Sequence, residues 1–161
     1  MDPIASNVRM LQILRNRDIS IQCLVSTTRG KVQFFEFVPY EYSTTLRAIA
    51  NRLETTEGIR LKAIRQLDAK GLSMFAPRMD PLSPTLLSID VEGADLDVLK
   101  SNDWTKTLPR VICVEELELM SKNKSVVQNF LENLDYALVE RTSLSSIYVH
   151  KGFLFRKEIS G

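Results

Sequence analysis

Residues 86–100 read LLSIDVEGADLDVLK. An apolar run ends in four carboxylates within eight positions, Asp90, Glu92, Asp95 and Asp97, with one glycine, Gly93, among them. Such a run, closed by acids and a glycine, predicts a strand over 85–91, a sharp turn at Gly93 and a helix over 95–100. Asp95 then falls in the first helical turn, where the dipole favours a carboxylate. Leu96 and Leu99 define the buried face of that helix, which leaves Asp97 toward solvent. Asp90 and Glu92 remain, at the carboxyl end of a strand. In open α/β sheets this is where ligands bind, because a rigid scaffold positions the loops there.

The same alternation of patterns continues on both sides. Residues 4–14 carry apolar side chains at helical spacing behind an Asp2-Pro3 start. Residues 19–25 (ISIQCLV) and 31–38 (KVQFFEFV) read as strands joined by a Ser-Thr-Thr-Arg-Gly turn, which predicts a hairpin. Residues 43–53 read as a helix and 59–64 as a half-exposed strand, whose basic residues in RLKAIRQ form its wet face. The stretch 71–84, with Pro77, Pro81 and Pro84, reads as a surface connection. A strand over 110–115, a helix over 124–134 and a closing hairpin of 136–140 with 146–150 complete the chain. Strands alternating with helices predict one α/β sheet, mostly parallel, with the final hairpin adding an antiparallel element.

At 161 residues and 44% hydrophobic composition, the chain fits one soluble domain with a real core. Its 21 basic and 20 acidic residues give a net charge of +1, which supplies no electrostatic argument for nucleic acid or an anionic membrane. No apolar run approaches the roughly 20 residues of a membrane helix, and the first ten residues hold no signal-peptide core. Cys23 and Cys113 each lie in an apolar run, as buried small hydrophobes do, with no disulfide or zinc pattern; a reducing cytoplasm is the expected compartment. A calcium loop fails on spacing, since counting from Asp90 puts Gly93 at position four and Ser101 at position twelve. No metal is expected. His150, the single histidine, ends the last strand beside Lys151 and reads as an exposed residue rather than a base. Trp104 reads as an apolar lid over a helix end.

Three blocks in order carry a resemblance: LLSIDVEGADLDVLKS, then LPRVICVEE, then NLDYALVERTSLSSIYVHK. Together they resemble the FkbM-type family of S-adenosylmethionine-dependent methyltransferases, whose members show an I-D-x-E-G-x-E block, a P-x-V-x-x-E strand and a terminal Y-x-L-V hairpin. GKVQFFEF and the Ser-Thr pair of EYSTTLRA match what that family places before the acidic block. Asp95 stands for the family's Glu, and Ser101 for a glycine that often ends the helix. The resemblance implies a Rossmann-like methyltransferase sheet, the cofactor S-adenosylmethionine, and methyl transfer to a hydroxyl of a sugar or other small metabolite. It implies a polar role near the transferring methyl for Asp90 first and Glu92 second, with Glu115 pointing into the same crevice. Asp2 would be the acid that binds the cofactor ribose.

The front of the family pattern is missing. None of Gly30, Gly58, Gly71, Gly93, Gly152 and Gly161 forms G-x-G, and Asp2-Pro3 aligns with the acid–proline pair that ends the family's second strand. The chain is thus expected to be a single, partial domain lacking the first two strands, which in the order 3-2-1-4-5 lie between the 19–38 hairpin and the 86–91 strand. A fragment or shortened gene is the expected account; a partner chain supplying the strands, or a rearranged sheet whose exposed edges invite homo-oligomers, are the others. A non-catalytic remnant or interaction module competes with the enzyme reading, and another nucleotide-binding α/β module ranks behind both.

Overall fold

A computed structural model describes residues 1–75, 85–116 and 124–154. The chain begins with α1 (Ala5–Leu14). Asp2 caps its approach: one carboxylate oxygen accepts from the Ile4 N–H at 2.7 Å and the other from Asn7 Nδ2 at 3.0 Å. The elements that follow are β1 (Leu24–Val25), β2 (Gly30–Val38), α2 (Arg47–Thr55) and β3 (Arg60–Lys70). After them come β4 (Leu86–Ile89), α3 (Asp95–Lys100), β5 (Val111–Glu115), α4 (Val126–Glu132), β6 (Tyr136–Arg141), β7 (Ser145–His150) and α5 (Lys151–Leu154). Among the described residues no helix is long and apolar enough to cross a membrane.

The strands form two mixed sheets, ordered β1-β3-β2 and β4-β5-β7-β6, instead of one mostly parallel sheet. Among the described strands, β1–β3 and β4–β5 are parallel, and β2–β3, β5–β7 and β6–β7 are antiparallel. The closing hairpin of β6 and β7 forms as its pattern predicts. The hairpin predicted over 19–38 does not: β2 pairs along its whole length with β3, and β1 lies on the far edge of β3. Residues 26–29 straddle the end of β3, where the Ser26 N–H donates to the Lys70 carbonyl at 3.0 Å. Two strand spacings are only about 10 Å, so a short link suffices. The expected strand over 19–25 shrinks to two residues because Asp2 takes up its neighbours: the Asp2 N–H donates to Ile21 O, and the Cys23 N–H to Asp2 O.

Strand β3 runs well past the predicted end at residue 64, and its basic residues do more than face water. Lys62 and Arg65 both reach Glu36, which is 3% exposed on β2. Burial raises the pKa of Glu36, but the hydrogen bonds from the two cations outweigh this and hold its carboxyl below the usual range.

The main core fills the second sheet. Leu87 and Ile89 of β4, Ile112 and Val114 of β5, Val98 and Leu99 of α3, Val127 and Leu131 of α4, and Tyr136 and Tyr148 pack together, joined by Leu72 from the turn after β3. Leu72 shows that the segment after residue 70 is not purely a surface connection; residues 76–84, with their three prolines, lie outside the described residues. Trp104 donates from Nε1 to the Leu99 carbonyl at 3.0 Å and meets Phe130 and Tyr136 edge-on. It is the lid over the end of α3.

Period two on β4 and β5 separates core from site. Leu87, Ile89, Ile112 and Val114 point into the core, so Asp90 and Glu115 fall on the other face. The parallel register ends at Ile89↔Val114. One step further sets Asp90 beside Glu115, a strand spacing of about 4.8 Å apart.

Candidate functional site

The register step is completed by a turn. After β4 the chain passes through Glu92 at φ 53° and Gly93 at φ 90°. A glycine takes the second angle freely, whereas a glutamate at the first is strained by about 1 kcal/mol or more. The result brings carboxylate oxygens of Asp90, Glu92 and Glu115 within 4.8 Å of one another. Asp90 is exposed; Glu92 and Glu115 are half-buried. The sequence points to these three residues, and the fold gathers them.

Their charges resist one another. Burial first, then the charges of Asp90, Asp95 and Glu41, push Glu92 up to about 7. Burial, then Asp90, Glu92 and Asp95, push Glu115 to about 7 as well. Glu115 Oε2 is buried and has no hydrogen-bond partner among the described residues. Acids held near neutrality are poised to take or give a proton, which is how working carboxylates are tuned. Oxygen donors at this spacing suit a hard cation over a thiophilic one.

Two acids behave differently from their sequence reading. Asp95 is more than a surface charge at a helix start: it is 4% exposed, and one of its oxygens accepts from the Gly93 N–H at 3.2 Å. Burial lifts it to about 6 against the pull of the backbone N–H groups around it, and Asp90 adds to the rise. Asp97 does not stand free in solvent, for it accepts from the N–H and hydroxyl of Thr27 and so ties α3 to the link after β1. The buried face of α3 is accordingly Asp95, Val98 and Leu99. A six-residue helix offers too few apolar positions for its sequence to define a face.

The cluster opens on a cavity of about 320 Å³ between the two sheets. Leu24, Val25 and Phe34 line it from the first sheet, Leu87 and Ile89 from the second, while Asp2, Glu41, Asp90 and Glu92 supply its charge. Asp2 therefore reaches the same cavity as the acidic turn, though its carboxylate already holds the start of α1. Glu41 was invisible as a site residue, since nothing in EYSTTLRA shows that this segment folds over the cavity. Cys23 also lies on the wall, and burial pushes its thiol up, as expected of an inert hydrophobe. Cys113 is only half-buried.

His150 is excluded from the cluster by register. Glu115 pairs with Ser145, so His150 lies five residues away at the other end of β7, roughly 16 Å off. There its ring meets Tyr136 and Phe153 edge-on, and its Nδ1 accepts from the Gly152 N–H at 3.2 Å.

Gly93 also touches α2: a Cβ placed there would meet Ile49 Cδ1 at 2.8 Å. Because the end of Ile49 can shift, most of the penalty comes from the positive φ. Gly93→Ala is expected to lower the melting temperature by roughly 2–10 °C, measured by thermal denaturation. An unchanged midpoint would contradict the left-handed turn.

No curated protein and no solved structure matches the chain. A family model, the methyltransferase FkbM domain, matches residues 3–138, a span that takes in the acidic turn and Glu115 and begins one residue after Asp2. The chain belongs to the FkbM methyltransferase family.

Proposed function

We propose that this chain is an S-adenosylmethionine-dependent O-methyltransferase domain acting on a hydroxyl of a sugar or other small metabolite in a reducing cytoplasm. The supporting observation is the meeting of Asp90, Glu92 and Glu115 at adjacent strand ends, with Asp90 and Glu92 on the wall of an acidic, apolar-lined cavity. The wall chemistry fits the cofactor. Leu24, Val25 and Phe34 offer apolar surface to an aromatic base, and Asp2, Asp90 and Glu92 offer carboxylates to hydroxyls and to a positively charged group. The cofactor, when bound, supplies a methyl group on a sulfonium.

The remaining chemistry falls to side chains of the chain itself. A hydroxyl attacking a methyl carbon forms the O–C bond as the C–S bond breaks, and its proton must leave to a base. Glu92 and Glu115, both held at about 7, are suited to receive that proton. Asp90, exposed beside them, orients the acceptor hydroxyl. The apolar side chains of the cavity wall, Leu24, Val25, Phe34, Leu87 and Ile89, limit the water that could compete as the acceptor.

Calorimetric titration of the full chain with S-adenosylmethionine tests this reading. Saturable heat is expected, with a dissociation constant in the micromolar range or tighter. Absence of heat at protein concentrations far above micromolar would sink it in favour of a non-catalytic interaction module. One observation favours that second reading: no G-x-G turn occurs in the sequence to approach a cofactor.

A further inference from the structure

The three-carboxylate cluster repels itself, so some part of the structure must hold it together. The peptide between Glu92 and Gly93 is gripped at both ends. Its N–H, on Gly93, donates to Asp95 at the start of α3. Its carbonyl, on Glu92, accepts from Thr44 Oγ1 at 3.2 Å. Thr44 belongs to the other sheet's side of the cavity, on the connection from β2 to α2, and is 1% exposed. Thr44 is itself fixed by Phe35 on β2: the Phe35 N–H donates to Thr44 O at 2.9 Å and the Thr44 N–H to Phe35 O at 3.1 Å. Its hydroxyl accepts from the Leu46 N–H at 3.1 Å, which directs its single proton toward Glu92.

We infer that Thr44 is a positioning residue, whose hydroxyl clamps the Glu92–Gly93 peptide from the first sheet and so keeps the Glu92 carboxylate against Asp90 and Glu115. Three observations converge on it. Glu92 has the positive φ that the clamp must sustain. The hydroxyl is buried, with its donor and acceptor roles both in use. The residues it draws together come from two sheets that share no strand pairing among the described residues. Functional significance rests on the cluster being the working site, but the clamp can be tested without methyl transfer.

Carbon-detected NMR titration of the carboxyl groups reads the clamp directly, since Glu92 feels Asp90, Asp95 and Glu41, and Glu115 feels Asp90, Glu92 and Asp95. In Thr44→Val, which keeps the shape and loses the hydroxyl, the Glu92 titration midpoint is expected to move down by about one on the pH scale, toward ordinary glutamate. Thr44→Ser, which keeps the hydroxyl, is expected to retain the wild-type midpoint. Wild-type titration in a folded Thr44→Val protein would overturn the proposal, as would Ser behaving like Val. A second measurement guards against a Val variant too unstable to titrate. With Glu92→Gly the strained angle is relaxed, so the loss of melting temperature caused by Thr44→Val is expected to shrink by half or more. Equal losses in the two backgrounds would reduce Thr44 to ordinary packing. A failed S-adenosylmethionine titration, by contrast, leaves these outcomes untouched.

Discussion

Glu115→Gln is expected to raise the melting temperature at pH 8 and to leave it nearly unchanged at pH 5. Glu92 and Glu115 have folded-state pKa values of about 7, above the ordinary 4.5. A carboxyl raised by folding binds its proton more tightly in the folded state, so its contribution to stability is complete below about 4.5 and lost as pH rises through 7. The wild-type protein is therefore expected to lose stability between pH 5 and pH 8. A tenfold change in a group's proton affinity on folding corresponds to about 1.4 kcal/mol, but both groups are half-exposed, and solvent screening reduces the effect. Replacing Glu115 by a neutral isostere removes one charge from the cluster and relieves Glu92. A gain on the order of 1–2 kcal/mol at pH 8, or about 3–6 °C, follows. Differential scanning calorimetry of both proteins at the two pH values is the measurement; equal pH slopes would show that the cluster is not under electrostatic tension. The gain in stability is expected to accompany a loss of function, as strained or self-repelling sites generally show.

Leu131→Ala is expected to be among the most damaging truncations of an aliphatic side chain in this fold. Leu131 lies on α4 with no exposed surface, within the cluster formed by Ile112, Val114, Tyr136 and Tyr148. Truncation removes three buried carbons and leaves a cavity whose walls belong to paired strands and cannot collapse freely. The cost is about 3–5 kcal/mol, against a total stability of about 5–15 kcal/mol for a domain of this size. A fall in melting temperature on the order of 10 °C is expected, with a matching fall in the urea midpoint. Val126, 67% exposed at the start of the same helix, supplies the control. Val126→Ala should change stability by less than about 0.5 kcal/mol. Comparable losses at the two positions would mean that α4 does not pack as described.

Much of the second half was legible because its signals are local. The apolar run of VICVE marked a strand and the last two runs a hairpin, and Gly93 marked the turn, but four successive apolar residues in VICVE do not say which face is buried. Asp90 and Glu92 could be singled out for the same reason: they end a strand. The first half was less readable. Nothing in ISIQCLV says that Asp2 will take its hydrogen bonds, and a turn-like Ser-Thr-Thr-Arg-Gly serves equally to close a hairpin or to straddle a third strand. Pairing partners are set by contacts distant in sequence, to which a local pattern is blind. Thr44 and Glu41 escaped notice as parts of the site for the same reason, since their importance lies in a meeting across two sheets. The burial of Asp95 was hidden because a carboxylate at a helix start has a sufficient local explanation.

The adjacent acids Glu115 and Glu116 serve as a check on strand register. Glu115 faces the acidic cluster, while Glu116, 6% exposed, accepts from the Tyr148 hydroxyl at 2.6 Å on the opposite side of the strand. A slip of β5 by one residue would reverse the two faces. Ile112 and Val114 would turn outward, and the Tyr148 hydroxyl would lose its acceptor. The repulsion that tunes the site would then be gained without the core that offsets it, so the mispaired sheet is disfavoured on both faces at once.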